Sequence, residues 1–164
     1  MKKFEIVITG GPCAGKSTAI DILKEELTKK GFKVIVSAET ATELVLEGIY
    51  PWEFEAEVFR SILISRAHNK EETIREALKY IKQDTIVIYD RGILDVKAYM
   101  KSEEFYTLSN NGARKETLEE ARYLDKRTIE CWSSHKNFKI IDNSTNFEGK
   151  ISRLLDEINL VLNI

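Results

Sequence analysis

The feature that most constrains the fold is the segment Gly10–Ser17, which fits the pattern G-x-x-x-x-G-K-S. An apolar run, Phe4–Thr9, precedes it and is typical of a buried strand, while the pattern of Ser17–Lys30 predicts a helix. Glycines allow the backbone to wrap closely around phosphate oxygens, and successive amides and the positive end of the helix then face the anion. A strand, such a loop and a helix in that order predict a phosphate-binding loop.

The side chains at the end of this loop have separate expected tasks. Lys16 supplies a mobile cation for the β- and γ-phosphates of a nucleotide, and the Ser17 hydroxyl completes a Mg²⁺ site. The residues expected to contact the nucleotide are Gly11, Pro12, Cys13, Ala14, Gly15, Lys16, Ser17 and Thr18.

Size and composition limit the remaining possibilities. The 164 residues suffice for one domain with a real core, so we expect residues 1–164 to form a single domain. A net charge of −2 argues against nucleic acid or an anionic membrane as the partner. No apolar stretch approaches the roughly 20 residues of a membrane span. Cys13 and Cys131 form no disulfide framework or metal-binding spacing, so we expect a cytoplasmic location.

Apolar runs and helical periodicity alternate along the chain. The predicted strands are Phe4–Thr9, Val34–Val36, Ile86–Tyr89 and Lys139–Asp142. The predicted helices are Ser17–Lys30, Thr40–Glu47, Trp52–Lys82, Leu94–Met100, Glu116–Trp132 and Asn146–Leu162. Strands separated by helices imply right-handed crossovers and a parallel sheet that is covered on both faces. We therefore expect an α/β fold of three layers, α/β/α, with a parallel sheet of four to five strands.

A second motif, Asp90-Arg91-Gly92, follows a nearly all-apolar predicted strand. A carboxylate at that point can reach a Mg²⁺ ion held near Ser17, as the second acidic element of such sites does. Arg91 can stabilise the charge of a transferring phosphoryl group or hold an acceptor phosphate. The alternative is a helix-capping Asp beside a surface Arg.

Glu39 leaves the second predicted strand at its carboxyl end, where ligands of parallel sheets bind. There it can accept the proton of a substrate hydroxyl or bind the acceptor. The residues alone support equally well a glutamate that stabilises the first turn of a helix.

Basic residues are frequent between positions 114 and 127, within a Glu-bearing helical stretch that follows a polar loop. Kinases often close a basic lid over ATP, which excludes water and supplies cations. We therefore treat residues 109–137 as a candidate lid and Arg122 and Arg127 as candidate catalytic cations. The alternative is a solvated helix with pairs such as Glu119 and Arg122.

These motifs together resemble a group of small P-loop modules: the AAA domain shared with the kinase part of nicotinamide-riboside kinases and with a GTP-binding protein implicated in ion-channel trafficking. More distantly, the chain is similar to deoxynucleoside and thymidylate kinases. The residues that carry the resemblance are Ile8–Thr18, Glu39–Ala41, Tyr89–Gly92 with Asp95 and Tyr99, Trp132 with His135, and Ile141–Thr145 followed by Phe147 and Lys150.

The resemblance implies a kinase-like P-loop NTPase fold in which Lys16, Ser17 and Asp90 serve ATP and Mg²⁺. It implies that Glu39 and Arg91 lie on the acceptor side and that Arg122 or Arg127 is a lid arginine. It places the segment 142–146, with Asp142, Ser144 and Asn146, near the purine.

The sequence thus predicts an ATP- and Mg²⁺-dependent phosphotransferase acting on a small acceptor: a nucleoside, a nucleotide or a related metabolite. GTP in place of ATP stays open, as does the oligomeric state. The alternative function is a nucleotide-gated switch ATPase or GTPase without a phosphoryl acceptor.

Overall fold

The computed structural model describes residues 1–11, 14–98 and 118–164, except for the side chains of residues 118, 120 and 121. The strands are β1 (Lys3–Ile8), β2 (Lys33–Ser37) and β3 (Thr85–Asp90). The helices are α1 (Lys16–Lys29), α2 (Thr40–Leu46), α3 (Ala56–Tyr80), α4 (Asp95–Ala98), α5 (Leu118–Trp132) and α6 (Phe147–Leu162).

The three strands form a parallel sheet in the order β1-β3-β2. Ile8 pairs with Asp90, and Ser37 pairs with Tyr89, so the carboxyl ends of the three strands lie side by side. In a parallel α/β sheet, ligands bind beyond this edge. The register therefore brings together the segments that follow the three strands, which contain the predicted site residues.

β3 is the central strand of the described sheet, and its side chains alternate between two packed faces. On one face, Ile86 and Ile88 pack against α1 and α6. On the other face, Val87 and Tyr89 pack against α3. This burial on both faces explains why the strand is nearly all apolar. The three layers α/β/α and the parallel sheet confirm the predicted fold class.

The predicted strand Lys139–Asp142 is not formed, and the described residues contain three strands rather than four to five. Instead of joining a ladder beside β1, this segment makes polar contacts with α6. Lys139 pairs with Glu157, and the Asp142 carboxylate and carbonyl both accept from Arg153. Ile140 is exposed, so the apolar pattern of this run does not correspond to a buried strand.

The long helix predicted from Trp52 begins later, at Ala56. A short 3-10 turn, Pro51–Glu53, precedes it, with Pro51 at the first position, where a missing N–H is tolerated. The expected end of α4 at Met100, the start of α5 at Glu116 and most of the polar part of the candidate lid lie outside the described residues. None of the described helices is both long and apolar enough to cross a bilayer.

Candidate functional site

The loop between β1 and α1 has the backbone of an anion cradle. Gly15, the residue before α1, has φ 78°, a conformation that side chains with a Cβ rarely adopt. The Lys16 ammonium folds back over the loop and donates to the carbonyl oxygens of Gly10 and Gly11, at 3.1 and 2.9 Å. The predicted loop cation therefore lies on the cradle itself. Pro12 and Cys13 lie outside the described residues.

The first turn of α1 presents the predicted metal ligand to the same space. Ser17 and Thr18 are both exposed at the start of the helix. Their amides belong to the group of N–H donors that no helical carbonyl can satisfy. Ile8 of β1 pairs with Asp90 of β3, so the loop that leads into this turn begins beside Asp90.

Asp90 is a carboxylate whose surroundings suit a cation. Its Oδ1 is buried and has no hydrogen-bond partner in the part of the chain that the structure describes. Burial and, after it, the charge of Glu39 raise the pKa of Asp90 above its ordinary value, while Lys16 and Arg91 oppose the shift. A buried carboxylate oxygen without a partner is destabilising unless a cation or donor reaches it. The residues present therefore fit a Mg²⁺ ion.

This fit does not require a cage of protein ligands. Mg²⁺ is usually bound by one or two protein oxygens, together with phosphates and water. Among the described residues, no group of three or more His, Cys, Asp or Glu side chains has metal-binding geometry. Ser17 and Asp90 have oxygens of the kind that Mg²⁺ uses in such sparse sites.

Arg91 has an unusual backbone and a side chain held in place on several sides. Its φ is 66°, a left-handed conformation that destabilises a residue with a Cβ by on the order of 1 kcal/mol. Its Nε donates to Glu39 at 2.7 Å, and its Nη1 donates to the carbonyl of Gly10 at 3.0 Å. The guanidinium is mostly buried, with 12% of the side chain exposed. The strained backbone turns Arg91 towards the loop.

Glu39 lies where the sequence predicted, at the carboxyl end of β2 and directly before α2. Its Oε1 accepts from Arg91, and its Oε2 accepts from Thr42 at 3.1 Å. Its side chain does not cap the helix through a hydrogen bond to a backbone amide. Glu39, Arg91 and the Gly10 carbonyl therefore form one contact chain beside the loop.

Asp95 lies next to Arg91, and no role was predicted for it. Its side chain is 4% exposed and lies 3.7 Å from the Arg91 guanidinium. It accepts from the Thr9 hydroxyl, from the Gly92 amide at 2.8 Å and from the Trp132 indole at 3.2 Å. The signal that could have found it is an acidic residue three positions after a glycine that follows a strand, since its carboxylate can reach back to that glycine's amide as in a capping box.

Comparison with known proteins agrees with this geometry. A family model described as AAA domain matches residues 5–110, well over half of the chain. The chain belongs to the AAA-domain family. The AAA domain is a P-loop NTPase fold, so the loop is a nucleotide-binding loop of that class. Sites of that class generally bind a nucleotide together with Mg²⁺. α5 and α6 lie beyond the matched stretch.

α5 contacts the loop through a residue that was not among the predicted site residues. Asp125 accepts from the Gly11 amide at 2.9 Å. Arg122 is exposed, and Arg127 pairs with Glu130 at 3.0 Å on the same helix. The two candidate lid arginines are thus on the helix that contacts the loop, but it is Asp125 that makes this contact.

The polar groups of the segment 142–146 are engaged within the segment and with α6. Asp142 Oδ1 accepts from the amide and hydroxyl of Ser144 and from Arg153, and these contacts, that of the Ser144 hydroxyl first, lower the pKa of Asp142 to about 2. Asn146 caps α6 by accepting from the Gly149 amide at 3.0 Å. These interactions account for the local order of the turn.

Phe147 and Lys150, which follow this turn, contact the nucleotide-binding loop. A Cβ on Gly15 would lie 2.8 Å from the Phe147 ring, so the aromatic ring packs directly on the loop glycine. Lys150 donates to Asn143 at 2.8 Å and to the loop carbonyl of Ala14 at 3.4 Å. The structure therefore brings the 142–150 segment beside the nucleotide-binding loop.

Proposed function

We propose that this AAA domain is an ATP- and Mg²⁺-dependent phosphotransferase that acts on a small acceptor such as a nucleoside, a nucleotide or a related metabolite. One observation carries the proposal: Glu39 and Arg91 are in contact at 2.7 Å, and Arg91 also donates to the loop carbonyl of Gly10. A carboxylate and a guanidinium held together beside a phosphate-binding loop are the groups that a transfer to a hydroxyl requires.

The donor side of the proposed reaction uses the loop and α1. The backbone N–H groups between Gly11 and Thr18, of which Pro12 has none, hold the phosphates together with the Lys16 ammonium, and Ser17 and Asp90 hold Mg²⁺. When bound, the metal neutralises charge on the β- and γ-phosphate oxygens. The partnerless oxygen of Asp90 supports its place in this set.

The acceptor side uses Glu39 and Arg91. Glu39 orients the acceptor hydroxyl and takes its proton as the acceptor oxygen forms a bond to the γ-phosphorus. The bond between that phosphorus and the bridging oxygen of ADP breaks in the same step, and ADP leaves with the bond electrons. Arg91 stabilises the charge on the transferring group, and it is already oriented by the Gly10 carbonyl and Asp95.

Two further parts of the proposal concern the lid and the base. Residues 109–137 form the lid within a single domain, and Arg122 or Arg127 supplies a second cation to the transferring phosphoryl group. Asp142, Ser144 and Asn146 lie near the purine of ATP or GTP, which the contacts of Phe147 and Lys150 with the loop support. The cytoplasmic location stays a prediction from the cysteine content.

The test uses ATP labelled at the γ-position, Mg²⁺ and a panel of nucleosides and nucleotides. We expect label in an acceptor with the parent protein. Glu39→Gln should reduce transfer by about 100-fold or more, because a general base is lost, with ATP affinity unchanged. Glu47→Gln is the matched control, since Glu47 ends the same helix and pairs with Arg66 away from the loop. Strong transfer by Glu39→Gln would remove Glu39 from the mechanism.

A second candidate function is a nucleotide-gated switch without an acceptor. The contact of Asp125 with the loop favours it, since this contact ties α5 to the element that holds the phosphates. In the same experiment, label that appears only as free phosphate with every acceptor supplied would support the switch and contradict the phosphotransferase.

A further inference from the structure

The Asp125 side chain places a carboxylate at a loop built for anions. Its Oδ1 accepts from the buried Gly11 amide at 2.9 Å. The same oxygen would lie 3.9 Å from a Cβ placed on Gly10, so it also lies close to the first glycine of the loop. α5 contributes this side chain from a distance of 114 residues along the chain. The contact is therefore a tertiary one, made between the candidate lid helix and the nucleotide-binding loop.

The position of Lys16 shows which end of the loop Asp125 touches. In this motif the start of the helix lies beneath the nucleotide phosphates, and the lysine reaches the β- and γ-phosphates. Here the Lys16 ammonium lies on the carbonyls of Gly10 and Gly11, at the strand end of the loop. Asp125 accepts from the amide of Gly11, whose carbonyl accepts from Lys16. Asp125 therefore lies at the end of the loop where the lysine reaches the terminal phosphate of a triphosphate.

A second residue of α5 links the helix to the arginine beside the loop. Trp132 is two helical turns after Asp125, and residues seven apart lie on nearly the same face of a helix. Its indole donates to Asp95 at 3.2 Å, and Asp95 lies 3.7 Å from the Arg91 guanidinium. A Cβ on Gly92 would lie 2.8 Å from the Trp132 ring, so the helix is tightly seated there. A displacement of α5 at Asp125 therefore changes the surroundings of Trp132.

We propose that Asp125 sets the selectivity of the loop between nucleoside triphosphate and diphosphate. The Asp125 carboxylate accepts from a loop amide, and a γ-phosphate held at this end of the loop is an anion as well, so the triphosphate binds against a repulsion that the diphosphate largely avoids. Binding of the triphosphate displaces Asp125 and, with it, α5. The proposal rests on the nucleotide-binding part of the proposed function and does not depend on phosphoryl transfer.

The first measurement is calorimetric titration of the parent protein and Asp125→Asn with ATP and with ADP, each with Mg²⁺. We expect the variant to bind ATP more tightly by a factor within the range of about 5 to 150 that is typical of coupling between sites, with a smaller gain for ADP. Glu119→Gln is the matched control, since it removes one negative charge from an exposed position on the same helix. Asp125→Ala repeats the test in case Asp125→Asn does not fold.

The second measurement follows α5 itself by fluorescence. The chain has two tryptophans, Trp52 and Trp132, so Trp52→Phe leaves Trp132 as the single probe. We expect ATP to change its emission more than ADP does, and we expect Asp125→Asn to reduce this difference. Selective tightening of ATP together with this loss of contrast supports the proposal.

Three results would overturn the proposal. Equal ATP-to-ADP affinity ratios in the parent protein and in Asp125→Asn would show that the carboxylate does not oppose the terminal phosphate. Weaker ATP binding by the variant would make Asp125 a support of the loop. If neither nucleotide binds to the parent protein, the proposed function is contradicted as well. The first two results contradict only the proposal for Asp125.

Discussion

Two polar segments flank the nucleotide-binding loop, and they differ in how their charges are satisfied. The segment that leaves β3, residues 90–95, is partly buried, and it includes a left-handed arginine and a carboxylate oxygen without a described partner. The turn at residues 142–146 is exposed, and its aspartate accepts from three donors. Both segments are rich in hydrogen-bonding side chains, so composition alone does not separate them.

The difference indicates which segment is held ready for a ligand. Strained backbone and unsatisfied buried charge persist where the surrounding structure forces them, and they concentrate at functional sites. The exit of β3 has both features and is held in place by Asp95. The polar groups of the 142–146 turn are satisfied by the turn and by Lys150 and Arg153 of α6, so they need no ligand for their order. We therefore expect loss of the carboxylate charge to affect stability with opposite signs at Asp90 and at Asp142.

The largest expected effect is that of Asp95→Ala. This change leaves the Thr9 hydroxyl, the Gly92 amide and the Trp132 indole without their acceptor in a buried site. The free energy of unfolding should fall by about 3 kcal/mol, as measured by urea denaturation. Asp95→Asn is the control, since it keeps the shape and one acceptor oxygen and should lose less. A loss within experimental error for Asp95→Ala would show that this carboxylate does not organise the β3 exit.

Asp90→Asn is expected to have an intermediate effect, and it should raise the free energy of unfolding rather than lower it. The folded protein raises the pKa of Asp90 through burial, so its ionised form is disfavoured by folding at neutral pH. The amide removes this charge, and the variant should be more stable by about 1 kcal/mol at pH 7 while losing Mg²⁺-dependent nucleotide affinity.

The pH dependence of the free energy of unfolding tests whether the charge of Asp90 is destabilising. A raised carboxyl pKa means that the folded state holds the proton more tightly, so the contribution of this group to stability falls as the pH rises through the folded pKa. The advantage of Asp90→Asn should therefore shrink as the pH is lowered through that pKa towards the ordinary value of 3.8. A constant advantage across this range, in paired thermal melts, would assign the effect to something other than the charge.

The smallest effect is expected for Asp142→Asn. Contacts with Ser144 and Arg153 lower the pKa of Asp142 to about 2, so its ionised form is favoured by folding. The contribution is present above 3.8 and is lost as the pH falls to about 2. Asp142→Asn should lower the melting temperature slightly at pH 7, with high salt reducing the difference because the side chain is exposed. A rise in the melting temperature would remove the contrast with Asp90.

Much of the fold could be predicted because the relevant patterns are local. The mostly apolar run Phe4–Thr9 predicts a strand, and the helix after it ends two residues before Gly31, whose φ of 92° suits a glycine. The wrong prediction of a strand at Lys139–Asp142 has a physical reason as well. Four residues of suitable composition form a strand only if a neighbouring strand offers its ladder, and here the segment's polar partners are on α6.

The sequence by itself determined the nucleotide-binding loop, because its glycines, Lys16 and Ser17 act through backbone conformation and through neighbours a few residues away. It also determined that Glu39 and Asp90 would lie at the carboxyl ends of strands. Only the tertiary structure decided that Arg91 would join Glu39, 52 residues away, and that Asp125 would reach Gly11 across 114 residues. Contacts of that range depend on which strands pair and where a helix packs, and no periodicity within a short segment encodes either choice.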